Sequence, residues 1–262
     1  MCVPARDEAG TIGPILGSLM RLREQGVVDQ VVVVDASADG TGEIAGRLGA
    51  EVHPQSRLMP EFGPVLGKGD AMWRALSVLH GDVVCFVDAD SEHFGPHFAC
   101  GLLGPLVLDP GVRFVKGFYR RPFRLGGESS PEGGGRVTEL TARPLLQLFY
   151  PELARIRQPL AGEVAARREL LERLPFATGY AVEIAMLIDA WSLAGTGAIA
   201  QVDLDVRQNR HQPLSALGPM ASAVLRAVAE RLEREGRLSD GLGSRSEPIV
   251  ERPPMASLRA AA

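Results

Sequence analysis

Asp88 and Asp90 stand two residues apart at the end of the apolar run Val83-Val84-Cys85-Phe86-Val87. That run is β-branched or aromatic at four of five positions and reads as a buried strand. Alternation along a strand turns such a pair to one side of the chain. Two hard oxygen donors there can hold one divalent cation, Mg²⁺ or Mn²⁺. The same two aspartates would also suit a solvated or helix-capping loop, so other residues have to decide. Lys68 lies between Gly67 and Gly69 at the start of a helix, where amides, helix dipole and ammonium can meet an anion together. It is not a Walker loop, because the first glycine and the Ser/Thr after the lysine are missing. Gly133-Gly134-Gly135-Arg136-Val137-Thr138 adds backbone that a ligand can approach closely, a guanidinium fork and a hydroxyl. Glu183 falls in the first turn of a helix opened by Gly179-Tyr180, suited to dipole compensation or to a sugar hydroxyl. Of the five histidines, only His211 sits in a polar loop of ligand type, Arg207-Gln208-Asn209-Arg210-His211-Gln212-Pro213.

These residues need a scaffold, and hydrophobic period supplies one. A short strand ends near Pro4. A helix over 11–25 carries Ile12, Ile15, Leu16, Leu19 and Leu22 at helical spacing. Val31 to Val34 is apolar throughout, as a central parallel strand covered on both faces would be. A small-residue turn, Asp35 to Thr41, leads to a helix ending near Leu48, and Ala50 to His53 forms a third strand. Strand, helix, strand, helix, strand is a doubly wound nucleotide-binding half, which binds beyond the carboxyl ends of its strands. Helices follow over 68–79 and 96–108, then a strand over 112–119 and a polar loop over 120–131. A helix carries Leu140, Leu145, Leu146 and Leu148. Another runs from the Gln158–Glu163 turn to about Leu174, and a third reaches Leu193. A strand over 199–206 and an amphipathic helix over 214–235 complete the pattern. The division expected is a nucleotide-sugar half over 1–118, an acceptor half over 119–235 and a mobile tail over 236–262.

Composition removes other classes. The chain has 262 residues, 45% hydrophobic and 23% charged, with a net charge of -4. No global basic field calls for nucleic acid, and no apolar stretch approaches the roughly 18–20 residues of a membrane span. No leader peptide is visible. Three cysteines without metal-ligand spacing suit a reducing cytoplasm. Lys68 and Lys116 are the only lysines among 28 basic residues.

Longer segments carry a resemblance. Pro4-Ala5-Arg6-Asp7-Glu8, Gly67-Lys68-Gly69-Asp70-Ala71-Met72-Trp73-Arg74, Phe118-Tyr119-Arg120-Arg121-Pro122, Gly133 to Leu146 and Pro175 to Glu183 resemble the glucosyl-3-phosphoglycerate synthases and the related mannosyl-3-phosphoglycerate synthases. The match runs from Val3 to about Leu232. It implies an A-type glycosyltransferase fold: an α/β, Rossmann-like mixed sheet flanked by helices, with a C-terminal helical extension. It implies transfer of a hexose, glucose favoured, from a nucleotide diphosphate sugar to the 2-hydroxyl of 3-phosphoglycerate, with retention and with Mg²⁺ or Mn²⁺. Pro4, Ala5, Arg6, Glu8 and Ala36 would then border the nucleotide, with Lys68, Asp88, Ala89 and Asp90 beside them. Gly135, Arg136, Val137, Thr138 and His211 would hold the acceptor, and Tyr180 and Glu183 would face the sugar. Leu160 would lie beside the anomeric centre, with Lys68 and Glu183 completing the catalytic set. Family members carry His-Arg-Asn after the late strand, with the His on the metal. Here the order is Asn209-Arg210-His211, which leaves the place beside Asp88 and Asp90 to His211, to Asn209 or to water. A homodimer is expected. The alternatives are a GDP-mannose-using synthase, an inverting lipid-phosphate glycosyltransferase and a sugar-nucleotide sensor without turnover.

Overall fold

The computed structural model describes residues 1–125, 128–130, 134–208, 213–238 and 249–259. The first half runs β1 (Cys2–Ala5), α1 (Ile12–Glu24), β2 (Val32–Asp35), α2 (Thr41–Arg47), β3 (Glu51–Pro54), α3 (Lys68–Ala75), β4 (Val83–Phe86), α4 (Pro96–Leu108) and β5 (Phe114–Arg120). A small hairpin, β6 (Phe123–Leu125) and β7 (Glu128–Ser130), follows. Then come α5 (Arg143–Phe149), β8 (Val164–Arg167), α6 (Arg168–Leu171), β9 (Phe176–Ala177), α7 (Val182–Ala194), β10 (Ile199–Val206), α8 (Leu214–Arg234), β11 (Glu251–Arg252) and α9 (Met255–Arg259).

Seven strands form one sheet in the order β10-β5-β8-β4-β1-β2-β3. All neighbours are parallel except β8, which is antiparallel to both β4 and β5. Strand alternation sorts the apolar residues into two cores. Val32, Val34, Val84, Phe86, Val164 and Ala166 face the layer of α3, α5, α7 and α8. Val31, Val33, Cys85, Val87 and Ala165 face α1 and α4. Burial on both faces explains the unbroken valines of β2 and makes the sheet a rigid floor. The carboxyl ends of β1, β2 and β4 therefore open on one rim, where such folds bind ligands.

Two expectations need correction. Residues 164–167 form a central strand rather than the start of a helix, and only α6 is helical there. Val164-Ala165-Ala166 is too short to show a period, and the following Arg-Glu-Leu-Leu run is helix-prone. The tail is also not mobile over 249–259: β11 pairs with β9, Met255 is buried, and Trp73 Nε1 donates to the Pro253 carbonyl at 2.8 Å. Arg252 is the anchor, with Nε and Nη2 each 2.8 Å from the fully buried Asp70 carboxylate.

Candidate active site

Asp88 and Asp90 leave β4 at the rim, and one buried guanidinium joins them. Arg207 Nη2 donates to Asp88 Oδ2 at 3.0 Å and also to Asp90 Oδ1. Its Nη1 donates to Tyr119 Oη at 2.7 Å and to Glu163 Oε2 at 3.2 Å, and Nε donates to Ser91 Oγ at 2.9 Å. Tyr119 Oη in turn donates to Glu163 Oε2 at 2.9 Å. The aim of Arg207 comes from its strand. The register of β10 against β5 shifts between Asp203 and Val206, and Asp205 takes a left-handed φ of 67°. Such a bulge re-aims the next side chain, and aspartate tolerates that backbone better than most residues. The Arg207 amide then bonds the Arg120 carbonyl at 3.0 Å, which holds the new direction.

Lys68 closes the other side. Its Nζ lies 2.5 Å from Asp88 Oδ1 and 2.8 Å from Glu183 Oε1. The glycines flanking it have a packing role. A Cβ on Gly69 would fall 1.9 Å from the Ala177 carbonyl oxygen, and one on Gly67 would meet Gly179 Cα at 3.2 Å. They let α3 press against the turn that opens α7, which brings Lys68 to Glu183. Gly162 does the same from below: its Cβ would sit 2.2–2.4 Å from the Asp88 carboxylate.

Electrostatics follows from this crowding. Burial alone would raise Asp88, but Lys68 and Arg207 outweigh it and hold the carboxyl far below the usual range. Burial likewise opposes charge on Lys68 and Arg207, and their carboxylates outweigh it, so both stay cationic. Burial wins at Tyr119 and Glu163, whose pKa values rise. Lys116, buried and bonded to the Ala161 carbonyl, is pulled down by burial to about 8.

A cleft of about 250 Å³ opens above this network. It brings together Lys68, Asp88, Asp90, Gly135, Arg136, Val137, Thr138, Leu160, Tyr180 and Glu183 from the expected set. Arg121, Gly134, Arg207, Leu217, Met220 and Val224 complete its lining. Gly135 has a left-handed φ of 75° and precedes a π-helical turn, Thr138–Ala142, that leads into α5. Pro4, Ala5, Arg6, Glu8 and Ala36 lie beside this cleft rather than in its wall. The Ala36 amide bonds the Ala5 carbonyl at 3.0 Å, and the Glu8 amide bonds Thr41 Oγ1 at 2.9 Å. Thr11 Oγ1 bridges Glu8 Oε2 and the Ala89 carbonyl, at 3.0 and 2.7 Å, and so ties the two regions. The Ala89 side chain itself faces the core. Asn209 and His211 lie outside the described residues.

Arg207, Glu163 and Tyr119 were not read from the sequence as site residues. Their common signal is position: each stands at an end of β10, β8 or β5 on the rim. Once β8 is taken as a strand, Glu163 falls one residue before it, beside Asp88. The donor set fits a hard divalent cation. Asp90 lines the cleft with 38% of its side chain exposed, and Asp88 lies next to it. Among the described residues no group of three His, Cys, Asp or Glu is placed to hold one metal ion.

The glycosyl transferase family 2 model matches residues 1–105. Over most of its length the chain is similar to glucosyl-3-phosphoglycerate synthases. It is 45% identical to that of Petrotoga mobilis, over 91% of this chain and 74% of the relative. It is 46% identical to that of Mycolicibacterium paratuberculosis, over 92% and 73%. Among solved structures, mannosyl-3-phosphoglycerate synthase from Rubrobacter xylanophilus superposes with a TM-score of 0.88 at 49% identity, over 98% of this chain and 87% of that one. Glucosyl-3-phosphoglycerate synthase from Mycobacterium tuberculosis, in complex with Mn²⁺, UDP-glucose and phosphoglyceric acid, gives 0.85 at 43%, over 98% and 90%. The sheet order, the aspartate pair on its rim and these likenesses agree: the chain has the A-type glycosyltransferase fold and belongs to the glucosyl-3-phosphoglycerate synthase and mannosyl-3-phosphoglycerate synthase family.

Proposed function

We propose that the protein transfers glucose from UDP-glucose to the 2-hydroxyl of 3-phosphoglycerate, with retention at the anomeric carbon and with Mg²⁺ or Mn²⁺. One observation carries the reading: a single cavity is lined both by the aspartate pair and by Gly135, Arg136 and Thr138. The first group suits a metal-bound diphosphate, and the second suits a small phosphorylated acid. Asp90 and Asp88 would hold the metal, which when bound offsets charge on the departing diphosphate. Lys68 holds Asp88 and Glu183 in place and adds positive charge where the diphosphate leaves. Arg136 and Thr138 fix the acceptor so that its hydroxyl faces Leu160 and the sugar. Glu183 is tied to Lys68, which suits a hydrogen bond to a sugar hydroxyl better than covalent attack. Expulsion of the diphosphate on the face that the acceptor enters then leaves the departing phosphate as the base for the acceptor proton. A trapped glycosyl adduct on Glu183 would refute that step.

The test incubates the chain with UDP-glucose, Mg²⁺ or Mn²⁺ and 3-phosphoglycerate. Release of UDP that requires the acceptor, with an α-linked product by NMR, is expected. Release without acceptor, or none, overturns the reading. GDP-mannose is the second donor to try, because the 49% identical Rubrobacter xylanophilus structure is a mannosyl synthase. A faster rate with GDP-mannose would reassign the donor and leave the acceptor unchanged.

A homodimer is supported by the exposed Leu140, Leu148 and Leu214 and is tested by light scattering. A cytoplasmic setting is supported by the unpaired Cys2, Cys85 and Cys100. The described residues contain no helix long and apolar enough to cross a membrane. The net charge of -4 gives no global attraction for nucleic acid.

A further inference from the structure

A second groove, about 580 Å³ in volume, is lined in part by Gly134 and Arg136. Arg120, Arg121, Arg136, Arg143 and Arg157 line it, with Glu139 the one lining carboxylate among the described residues. That is a dense cationic surface on a chain whose net charge is -4. Arg120 pairs with Asp205, and Arg143 Nε pairs with Glu139 at 3.1 Å.

Arg157 is held differently. Its guanidinium lies 4.0 Å over the Phe118 ring, and no carboxylate among the described residues pairs with it. Its backbone is fixed on both sides. The amide donates to Gln201 Oε1 at 2.7 Å, and the carbonyl accepts from Arg143 Nη2 at 2.7 Å. Stacking occupies the face of a guanidinium, while its N–H donors lie in the plane and point outward. Arg157 is therefore a fork set in one orientation on the groove wall. Arg121, Gly134 and Arg136 line this groove and the cleft alike.

We propose that this groove is a second oxyanion subsite that takes a phosphate group, and that an anion in it weakens acceptor binding across the shared wall. Two sources carry that chemistry, free inorganic phosphate and a second molecule of a phosphorylated acceptor. The coupling rests on the acceptor proposed above, whereas the binding itself does not. Two anions sharing one wall of arginines repel each other and divide the same donors, which sets the sign of the coupling.

Calorimetric titration of the full chain at low salt, without divalent metal, tests both parts. With 3-phosphoglycerate, two sites per chain are expected in the wild type and one in Arg157→Glu. In Arg157→Gln the second site should weaken by about 10-fold, the loss of one charge-assisted fork. Inorganic phosphate forms the separate arm. If it fills the weaker site alone, free phosphate is the ligand; if only 3-phosphoglycerate does, a second acceptor molecule is. Phosphate binding that Arg157→Glu abolishes supports the groove even where 3-phosphoglycerate proves not to be the acceptor. In rate measurements, phosphate should raise the apparent KM for 3-phosphoglycerate in the wild type and do so less in Arg157→Gln. The exposed Arg157 allows both variants to keep the wild-type melting temperature. A single 3-phosphoglycerate site in the wild type together with no phosphate binding overturns the proposal, as does phosphate binding that neither variant changes.

Discussion

Lys68 and Asp70 are two residues apart on α3, and each anchors a cluster of buried charge. Around Asp70 every donor and acceptor is placed. The carboxylate takes the Leu66 amide at 2.8 Å, Arg74 Nε at 3.0 Å and the Arg252 fork at 2.8 Å. The other Arg74 protons go to the carbonyls of Leu58, Met59 and Gly63 at 2.6–2.8 Å. Around Lys68 the balance is different. Asp88, Asp90, Glu163 and Glu183 face Lys68 and Arg207, with Lys116 held aside on the Ala161 carbonyl. In this second cluster the carboxylates outnumber the two cations bonded to them, and it opens into a cleft. Closed and satisfied charge fastens the chain; open and acid-rich charge leaves work for a ligand.

The contrast predicts that the two clusters fail in different ways. Asp90→Ala should lower turnover by about 10³-fold, the several kcal/mol that metal charge stabilisation supplies. Mn²⁺ binding by electron paramagnetic resonance should fall with it, while the melting temperature holds. A large drop in melting temperature would erase the contrast. Asp70→Asn should do the reverse, costing about 3–5 kcal/mol in a denaturant melt because two arginines lose their buried partner. Activity per folded molecule should persist. The pH dependence follows from sign. Burial opposes the Asp70 carboxylate, but Arg252 and Arg74 outweigh it and hold its pKa low. Its stabilisation is present above the unfolded-state value and is lost as pH falls through the folded one. Asp70→Asn should therefore flatten the acid limb of stability.

Gly162→Ala sharpens the geometric half of the comparison. A methyl group 2.2–2.4 Å from the Asp88 carboxylate must displace it, costing about 1–3 kcal/mol of stability. The kcat should fall further than this cost alone accounts for. Equal losses would mean that Asp88 is only structural. Lys116 is a lever that pH alone moves. Its folded pKa near 8 lies below the ordinary lysine value, so the unfolded chain binds more protons between the two. Stability from this group is lowest below pH 8 and rises toward pH 10.5, by about 3 kcal/mol. Lys116→Met should remove that rise in melts across this window.

The parts of the site that were legible in the sequence are contiguous. Asp88-Ala89-Asp90, Gly67-Lys68-Gly69 and Gly135-Arg136-Val137-Thr138 each carry their chemistry in neighbouring residues, and the structure brings all three to one cleft. Arg207, Glu163 and Tyr119 carry theirs in tertiary placement. Arg207 needs a bulge that only pairing with β5 creates, and Glu163 needs a strand whose two alanines give no period. The glycines beside Lys68 were legible as glycines but not as packing devices, because Ala177 and Gly179 lie far along the chain. The tail misled for a related reason: a polar stretch with paired prolines looks free until Asp70 is seen to want a second arginine.

The antiparallel β8 sets an order of events in folding. β1, β2, β3 and β4 are brought together by contacts within the first part of the chain, whereas β8 must enter between β4 and β5 from well downstream. Such non-local pairing bears the loop-closure entropy before any contact repays it. The segment that enters carries Gly162 and Glu163 to the underside of Asp88. Insertion of β8 is thus required before the site is complete, and recovery of activity on refolding is expected to follow it rather than the pairing of β1 to β4.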